Sequence, residues 1–214
     1  MLNRASKPFV KLVEKYLPDP YIFVLLLTLI TLVFAVVIQD QSPLTTVQQW
    51  GDGFWGLLTF SMQMLLVLVT GFMLACTPLV KTLLENLARL AKGPGSAIVL
   101  VTLVSLTASW INWGFGLVVG ALFAKALARK VSVDYRLLVA SAYSGFIVWH
   151  GGLAGSVPLT IATPGHFSEA QIGVIGTSET IFSGFNLLLL AIMFVVIPLV
   201  NRLMLPPKSE SVIV

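Results

Sequence analysis

SAIVLVTLVSLTASWINWGFGLVVGALFA, residues 96–124, is apolar throughout except for a few hydroxyls and one asparagine. Lys81, Arg89 and Lys92 precede it, and Lys125, Arg129, Lys130 and Arg136 follow it. Lys and Arg gather on the cytoplasmic side of a membrane, so basic residues at both ends of one apolar stretch predict a helical hairpin that enters and leaves from the cytoplasm. The turn falls in Ser109-Trp110-Ile111-Asn112-Trp113-Gly114-Phe115-Gly116. Irregular backbone at membrane depth survives only where protein or a water-filled cavity meets its polar groups, so residues 109–116 are expected to line a cavity. The alternative is one long tilted span in which Gly116, Gly120 and Ala124 allow close packing.

The rest of the chain agrees with a bilayer. Of 214 residues, 57% are hydrophobic and 10% are charged, against about 25% charged in a soluble domain. All 22 Asp, Glu, Lys and Arg residues lie outside the long apolar runs, as the cost of at least ~2.5 kcal/mol for a charge at the bilayer centre requires. The net charge of +4 comes from short clusters beside apolar runs, which are topology signals and not a nucleic-acid surface. Cys76 is the single cysteine, so no intrachain disulfide can form. The first apolar run is too long for a signal peptide and lacks a small-x-small cleavage site.

Working outward, residues 5–17 place Phe9, Leu12, Val13, Tyr16 and Leu17 at helical spacing, with Lys7, Lys11 and Lys15 on another face. This predicts an interfacial helix within a cytoplasmic segment 1–19. The membrane region 20–205 then opens with a span over 21–38 and a polar loop over 39–53 that holds no Lys or Arg. A second span runs from 54 to about 76. Thr77 and Pro78 then cap an amphipathic surface helix, with Leu79, Val80, Leu83, Leu84, Leu87 and Leu90 on one side and Lys81, Glu85 and Arg89 on the other. Gly93-Pro94-Gly95 ends it.

After the hairpin, residues 137–161 form a discontinuous helix broken at His150-Gly151-Gly152-Leu153-Ala154-Gly155-Ser156, and 181–199 form the last span. Residues 206–214 are a cytoplasmic tail or linker. The expected fold class is an all-α integral membrane protein: four crossings, one discontinuous, plus a re-entrant hairpin. All 13 Lys and Arg residues and both termini then fall on the cytoplasmic side.

Interrupted helices can bind a carboxylate without a lysine or arginine, because a half-helix N-terminus presents unpaired N–H groups and a positive dipole end. Transporters place such ends near the bilayer midplane. Here the helices resuming near Leu117 and Val157, the latter capped by Ser156, supply the two ends. Ser109, Asn112, Thr160 and Thr163 stand near them as hydrogen-bonding groups, with Trp110, Trp113, Phe115 and Trp149 as apolar walls. A small monocarboxylate with a short hydrocarbon tail suits such a pocket. Asn112 is the foremost ligand-orienting candidate, since a buried amide needs partners; the competing reading is an interhelical hydrogen bond. His150, with a usual pKa near ~6.5, could exchange a proton, or could sit neutral against freed carbonyls. His166 reads as a solvated loop residue. There is no metal-site pattern, no nucleophile elbow and no phosphate loop, so enzyme and metal readings recede. A passive channel or accessory subunit remains the alternative.

Six islands in order resemble the bacterial short-chain fatty acid transporters. They are Leu17-Pro18-Asp19-Pro20, Trp50-Gly51-Asp52-Gly53-Phe54-Trp55, the run from Ile111-Asn112-Trp113-Gly114 to Gly120, Gly155-Ser156-Val157-Pro158-Leu159, Ala162-Thr163-Pro164-Gly165, and Phe182-Ser183-Gly184-Phe185-Asn186. The resemblance implies secondary transport of short-chain fatty acids such as butyrate or acetoacetate across the bacterial cytoplasmic (inner) membrane, in a wider group that uses re-entrant hairpins. It implies binding residues at Asn112, Trp113 and Gly114, at Gly151 and Gly152, and at Ser156; with Ser109, Gly116 and Thr160 these complete the expected site. It also implies that the position of His150 is more often glycine, against a proton relay there. No cofactor is expected; a coupling ion, H+ or Na+, leaves no side-chain signature here. Members of the family are roughly twice as long, and Pro206-Pro207-Lys208-Ser209-Glu210 resembles the linker between their halves. A second-half polypeptide or a homo-oligomer is thus an expected partner, besides membrane lipid, with a nonfunctional fragment as the alternative.

Overall fold

The computed structural model describes residues 8–10, 12–13, 15–17, 19–56 and 58–213, apart from the side chains at 59 and 60. The expected interfacial helix falls partly outside this set, as do Lys7 and Lys11; residues 8–10, 12–13 and 15–16 are helical. Two compact units divide the chain, Arg4–Leu65 and Leu66–Val214.

In the first unit, α1 spans Pro20–Val37, close to the expected 21–38. Asp19 caps it by accepting from the Tyr21 N–H (2.8 Å), and Pro20 occupies its first turn. None of its side chains is buried. Residues 39–53, expected as a loop, instead contain α2, Pro43–Gly53. The cause is local: Ser42 accepts from the Thr45 N–H (3.2 Å) and Pro43 presets the first turn, a start signal that does not depend on an apolar face.

Helix α3, Leu58–Ala75, reaches into the second unit. A 64° bend separates Ser61–Ala75 from α4, Pro78–Ala88. Thr77 and Pro78 start α4 as expected. Its apolar side divides in two, however: Val80, Leu84 and Ala88 enter the core while Leu79, Leu83 and Leu90 stay exposed. That core also takes in Ile98 and Val101, Phe123 and Leu127, and Leu138.

Helices α5, Pro94–Ile111, and α6, Trp113–Ala128, are separated by Asn112 alone. A β-carbon at Gly116 would lie 2.5 Å from Ser109 Cα, and one at Gly120 would lie 2.9 Å from Ser105 Oγ. Residues advancing along α6 thus meet residues receding along α5, so the chain reverses at Asn112 and the two helices run antiparallel. The long tilted span is excluded, while the packing role of Gly116, Gly120 and Ala124 holds, since all three are buried. The turn is far tighter than residues 109–116: Asn112 is extended (φ −156°, ψ 126°) and everything around it is helical. Helix α6 resumes at Trp113, not near Leu117. At 1.5 Å per residue the arms measure roughly 27 and 24 Å.

The discontinuous helix follows: α7 at Tyr135–Ser144, a 3-10 segment at Gly145–Gly151, a turn, and α8 at Ser156–Ile161. Beyond it come a short α9, Glu169–Ile172, and α10, Gly184–Leu203. Polar bonds tie these helices across apolar surroundings. Asn201 on α10 donates to Thr102 Oγ1 (3.0 Å) and Ser144 Oγ (2.8 Å), and Ser105 Oγ donates to the Ala142 carbonyl. No strand occurs among the described residues. Pro20–Val37, Pro94–Ile111, Tyr135–Ile161 and Gly184–Leu203 are each long and apolar enough to cross a membrane, and the bent pair is a fifth candidate. The chain is an all-α, multi-pass membrane protein.

The tail is fastened to the start of α7. Asp134, almost wholly buried, accepts from the N–H groups of Leu137 (2.9 Å) and Val212 (2.8 Å) and pairs with Arg136 (3.0 Å). Tyr135 N–H donates to Val212 O (2.8 Å), and Arg136 to Glu210 O (2.9 Å). Burial pushes the Asp134 carboxyl up, but these hydrogen bonds and the guanidinium outweigh it and hold the pKa below its ordinary value.

Two outcomes follow from this packing. A β-carbon at Gly145 would fall 2.5 Å from Ser105 Cβ and 2.6 Å from Leu106 N; Gly145→Ala should lower the thermal stability of the detergent-solubilised protein by about 1–3 kcal/mol. The depressed pKa of Asp134 means that its contribution is complete above the unfolded carboxyl value of about 3.9 and fades as pH falls through the lower folded value. Hydrogen exchange at the Val212 amide, corrected for its intrinsic pH dependence, should lose protection over that acidic window, and Asp134→Asn should reduce protection already at neutral pH.

Candidate functional site

The hairpin tip and the helix break meet directly. Leu153 N–H donates to the Trp110 carbonyl at 2.7 Å, one of the acceptors left over at the end of α5. Gly152 lies so close that a β-carbon there would stand 2.5 Å from Trp110 O and 3.0 Å from Trp110 Cα. Glycine at 152 is thus what lets the break reach the tip. The tip is packed equally tightly on its other flank, where a β-carbon at Gly71 on α3 would lie 2.6 Å from Phe115 N.

Asn112 ends α5 and starts α6. Its Oδ1 accepts from the Phe115 N–H (3.0 Å), and its carbonyl accepts from the Gly116 N–H (2.8 Å). The competing reading, an interhelical bond, does not hold among the described residues; the side chain is an N-cap of its own helix. That leaves its Nδ2 as a donor, and the amides of Trp113 and Gly114, the first two of α6, find no acceptor among the described residues. Ser109 Oγ and Trp149 Nε1 are likewise buried without a partner. Ser109 lies one turn before the reversal, in the seam against Gly116, and Trp149 lies in the 3-10 segment entering the break. Two buried side-chain donors, one on each side of the Trp110–Leu153 contact, therefore lack acceptors among the described residues.

Aromatic rings line the same region. Trp113 lies 5.3 Å from Trp149 and 6.3 Å from Phe146, centroid to centroid, and Phe146 lies 4.9 Å from Trp149. His150 is exposed and stacks on Trp149 at 4.3 Å; its ring makes no hydrogen bond to a freed carbonyl among the described residues. Trp110 packs instead in a separate cluster with Leu106, Val148 and Leu190.

The structure thus brings together Ser109, Asn112, Trp113, Gly114 and Gly116 with Gly151 and Gly152. Ser156 and Thr160 lie past the break on α8. Gly155, not Ser156, precedes that helix, because the extended backbone falls at 155. Helix α8 has only six residues, so its dipole is short, and the Thr160 hydroxyl donates to Ser156 O (2.7 Å). Thr163 donates in the same way to Leu159 O (2.8 Å). His166, expected as a solvated residue, organises its loop: Nδ1 accepts from Ser168 N–H (3.3 Å), which leaves Nε2 to donate to Gly173 O (3.0 Å). Asn186 was not among the expected site residues. It donates to Gly151 O (3.0 Å) and Ile181 O (2.7 Å) from the first turn of α10. Its sequence signal is Ser183-x-x-Asn186 at the head of a long apolar run. No cluster of three or more His, Cys, Asp or Glu residues occurs among the described residues.

Comparison with known proteins bears on what this arrangement serves. Residues 1–214 match the family described as short chain fatty acid transporter. Two curated relatives carry short-chain fatty acid transport in provisional names. One, from Escherichia coli (strain K12), is 48% identical over 99% of this chain and 48% of its own length; the other, from Haemophilus influenzae, is 44% identical over 99% of this chain and 49% of its own length. No solved structure matches. The chain spans about half the length of these relatives, and it belongs to the short-chain fatty acid transporter family.

Proposed function

We propose that the chain supplies one half of a secondary transporter for short-chain fatty acids such as butyrate or acetoacetate, and that the carboxylate binds where the hairpin tip meets the helix break. The observation that carries this reading is the pair of buried side-chain donors there, Ser109 Oγ and Trp149 Nε1, which find no partner among the described residues. A buried donor without an acceptor costs about 1–3 kcal/mol, and more in hydrocarbon, where water cannot replace the lost bond. A carboxylate is the complementary ligand, with two oxygens that accept several N–H and O–H bonds. Trp113, Phe146 and Trp149 suit a short acyl tail. Asn112 orients the ligand through Nδ2, while the N-terminal end of α6 adds its positive dipole end.

The same proposal includes the topology. Residues 94–128 form a hairpin re-entering from the cytoplasmic side of the bacterial inner membrane, with both termini cytoplasmic. A complete site at a repeat interface draws on two halves, so the working unit includes a second-half polypeptide or a second copy of this chain.

The test is uptake of radiolabelled butyrate by cells lacking their own carriers, expressing this chain alone or with a second-half polypeptide taken from a relative. Saturable uptake in either case supports the proposal, and the arm in which it appears identifies the working unit. No saturable uptake in either, with both chains verified in the membrane, contradicts it. Ser109→Ala separates function from packing: the hydroxyl has no partner, so its loss should leave stability unchanged or slightly raised, yet should weaken half-saturation for butyrate about tenfold. Asn112→Ala should abolish saturable uptake without preventing insertion.

A further inference from the structure

We propose that Asn186 is a positioning residue for the carboxylate site: its amide nitrogen holds the Gly151 carbonyl and thereby sets the conformation of the break, on which ligand affinity depends. The inference rests on the reading of the site given above, but its structural part can be tested apart from that reading.

The 3-10 segment ends at Gly151, whose carbonyl no longer has a helical partner. At membrane depth such a group must find another donor. Asn186 supplies it from a neighbouring helix, using one N–H for Gly151 O at 3.0 Å and the other for Ile181 O at 2.7 Å. With both hydrogens engaged, the plane of the amide is fixed. Its Oδ1 then lies so near Gly151 that a β-carbon there would be 2.5 Å away, so the glycine allows the side chain to rest against the backbone. The following residues are held by another helix, through Leu153 N–H on Trp110 O. The break is therefore gripped by α10 on one side and by the hairpin on the other. The hairpin grip is backbone to backbone; the α10 grip depends on the identity of residue 186.

The orientation of the Asn186 amide follows from its surroundings. Both contacts are carbonyl oxygens, which only N–H can satisfy. Asn186→Asp keeps the size of the side chain but puts an acceptor against each carbonyl; Asn186→Ala removes the group. In a Cys76→Ser background, Leu153→Cys places a thiol at a partly exposed position inside the break, and Lys130→Cys places one at the remote end of the hairpin. N-ethylmaleimide should label the thiol at 153 about tenfold faster in either Asn186 variant, the loss expected for two hydrogen bonds, with no change at 130. The same variants, with residues 76, 130 and 153 native, should raise the half-saturation for butyrate uptake about tenfold while changing the maximal rate less than about threefold.

Unchanged labelling at 153 overturns the proposal. So does equal acceleration at 153 and 130, which would mean general loosening, and so does faster labelling with unchanged half-saturation, which would leave Asn186 with no bearing on the ligand. If the parent chain shows no saturable butyrate uptake either alone or with the second-half polypeptide, the transport reading fails while the labelling still decides whether Asn186 holds the break.

Discussion

A single extended residue between two long helices, Asn112, sets the arrangement of the second unit. Its backbone reverses the chain, and its side-chain oxygen accepts from the Phe115 N–H, which the reversal leaves without a helical carbonyl. Close approach of the arms near the tip then needs glycine: Gly116 and Gly120 against Ser109 and Ser105, with Gly145 of the broken helix also against Ser105. Apolar helices have little hydrophobic reason to associate within lipid, so this kind of backbone contact, together with hydrogen bonds such as those of Asn201, is what binds them. The hairpin seam is thus both the scaffold and the element that carries the tip to the break.

The consequences for chemistry come from what the reversal leaves unpaired. In an uninterrupted helix the Trp113 and Gly114 amides would have carbonyl partners, and the break would not need the Trp110 carbonyl or the Asn186 amide. Some freed groups are paired across elements; others, including Ser109 Oγ and Trp149 Nε1, are not. Both of these can donate. A site built from neutral donors can receive an anion and release it again, whereas a fixed lysine at membrane depth would carry a large desolvation cost.

Much of this was legible from residue order. The Asp19-Pro20 and Thr77-Pro78 starts, the end of the first span and the break after His150 all follow from local rules of capping and apolar length, and the structure has them within a few residues. Helix α2 escapes a reading guided by amphipathicity, because a polar stretch without Lys or Arg reads as a loop; the Ser42-Pro43 cap is the available signal. The turn is narrower than residue order suggests, since a run of Trp and Gly residues looks irregular although only Asn112 leaves the helix. Gly114 and Gly116 serve close approach, not loop conformation. Asn186 and the Asp134–Val212 contact lay beyond local rules, because they join residues 35 and 78 positions apart. Ser109 is visible in the sequence as a hydrogen-bonding group, but that its hydroxyl is buried and unpartnered among the described residues depends on which face of α5 meets α6, and periodicity in an apolar helix does not reveal that.

The proposed re-entry of the hairpin from the cytoplasmic side can be tested by which side each of its ends faces. Gly93→Cys and Arg129→Cys, each as the sole cysteine in a Cys76→Ser background, can be exposed to a membrane-impermeant maleimide in intact cells and in inverted membrane vesicles. Labelling of both positions in inverted vesicles alone is the expected result, since both ends of the 94–128 hairpin then face the cytoplasm. Labelling of the two positions from opposite sides would contradict it and would mean that residues 94–128 cross the membrane as one span.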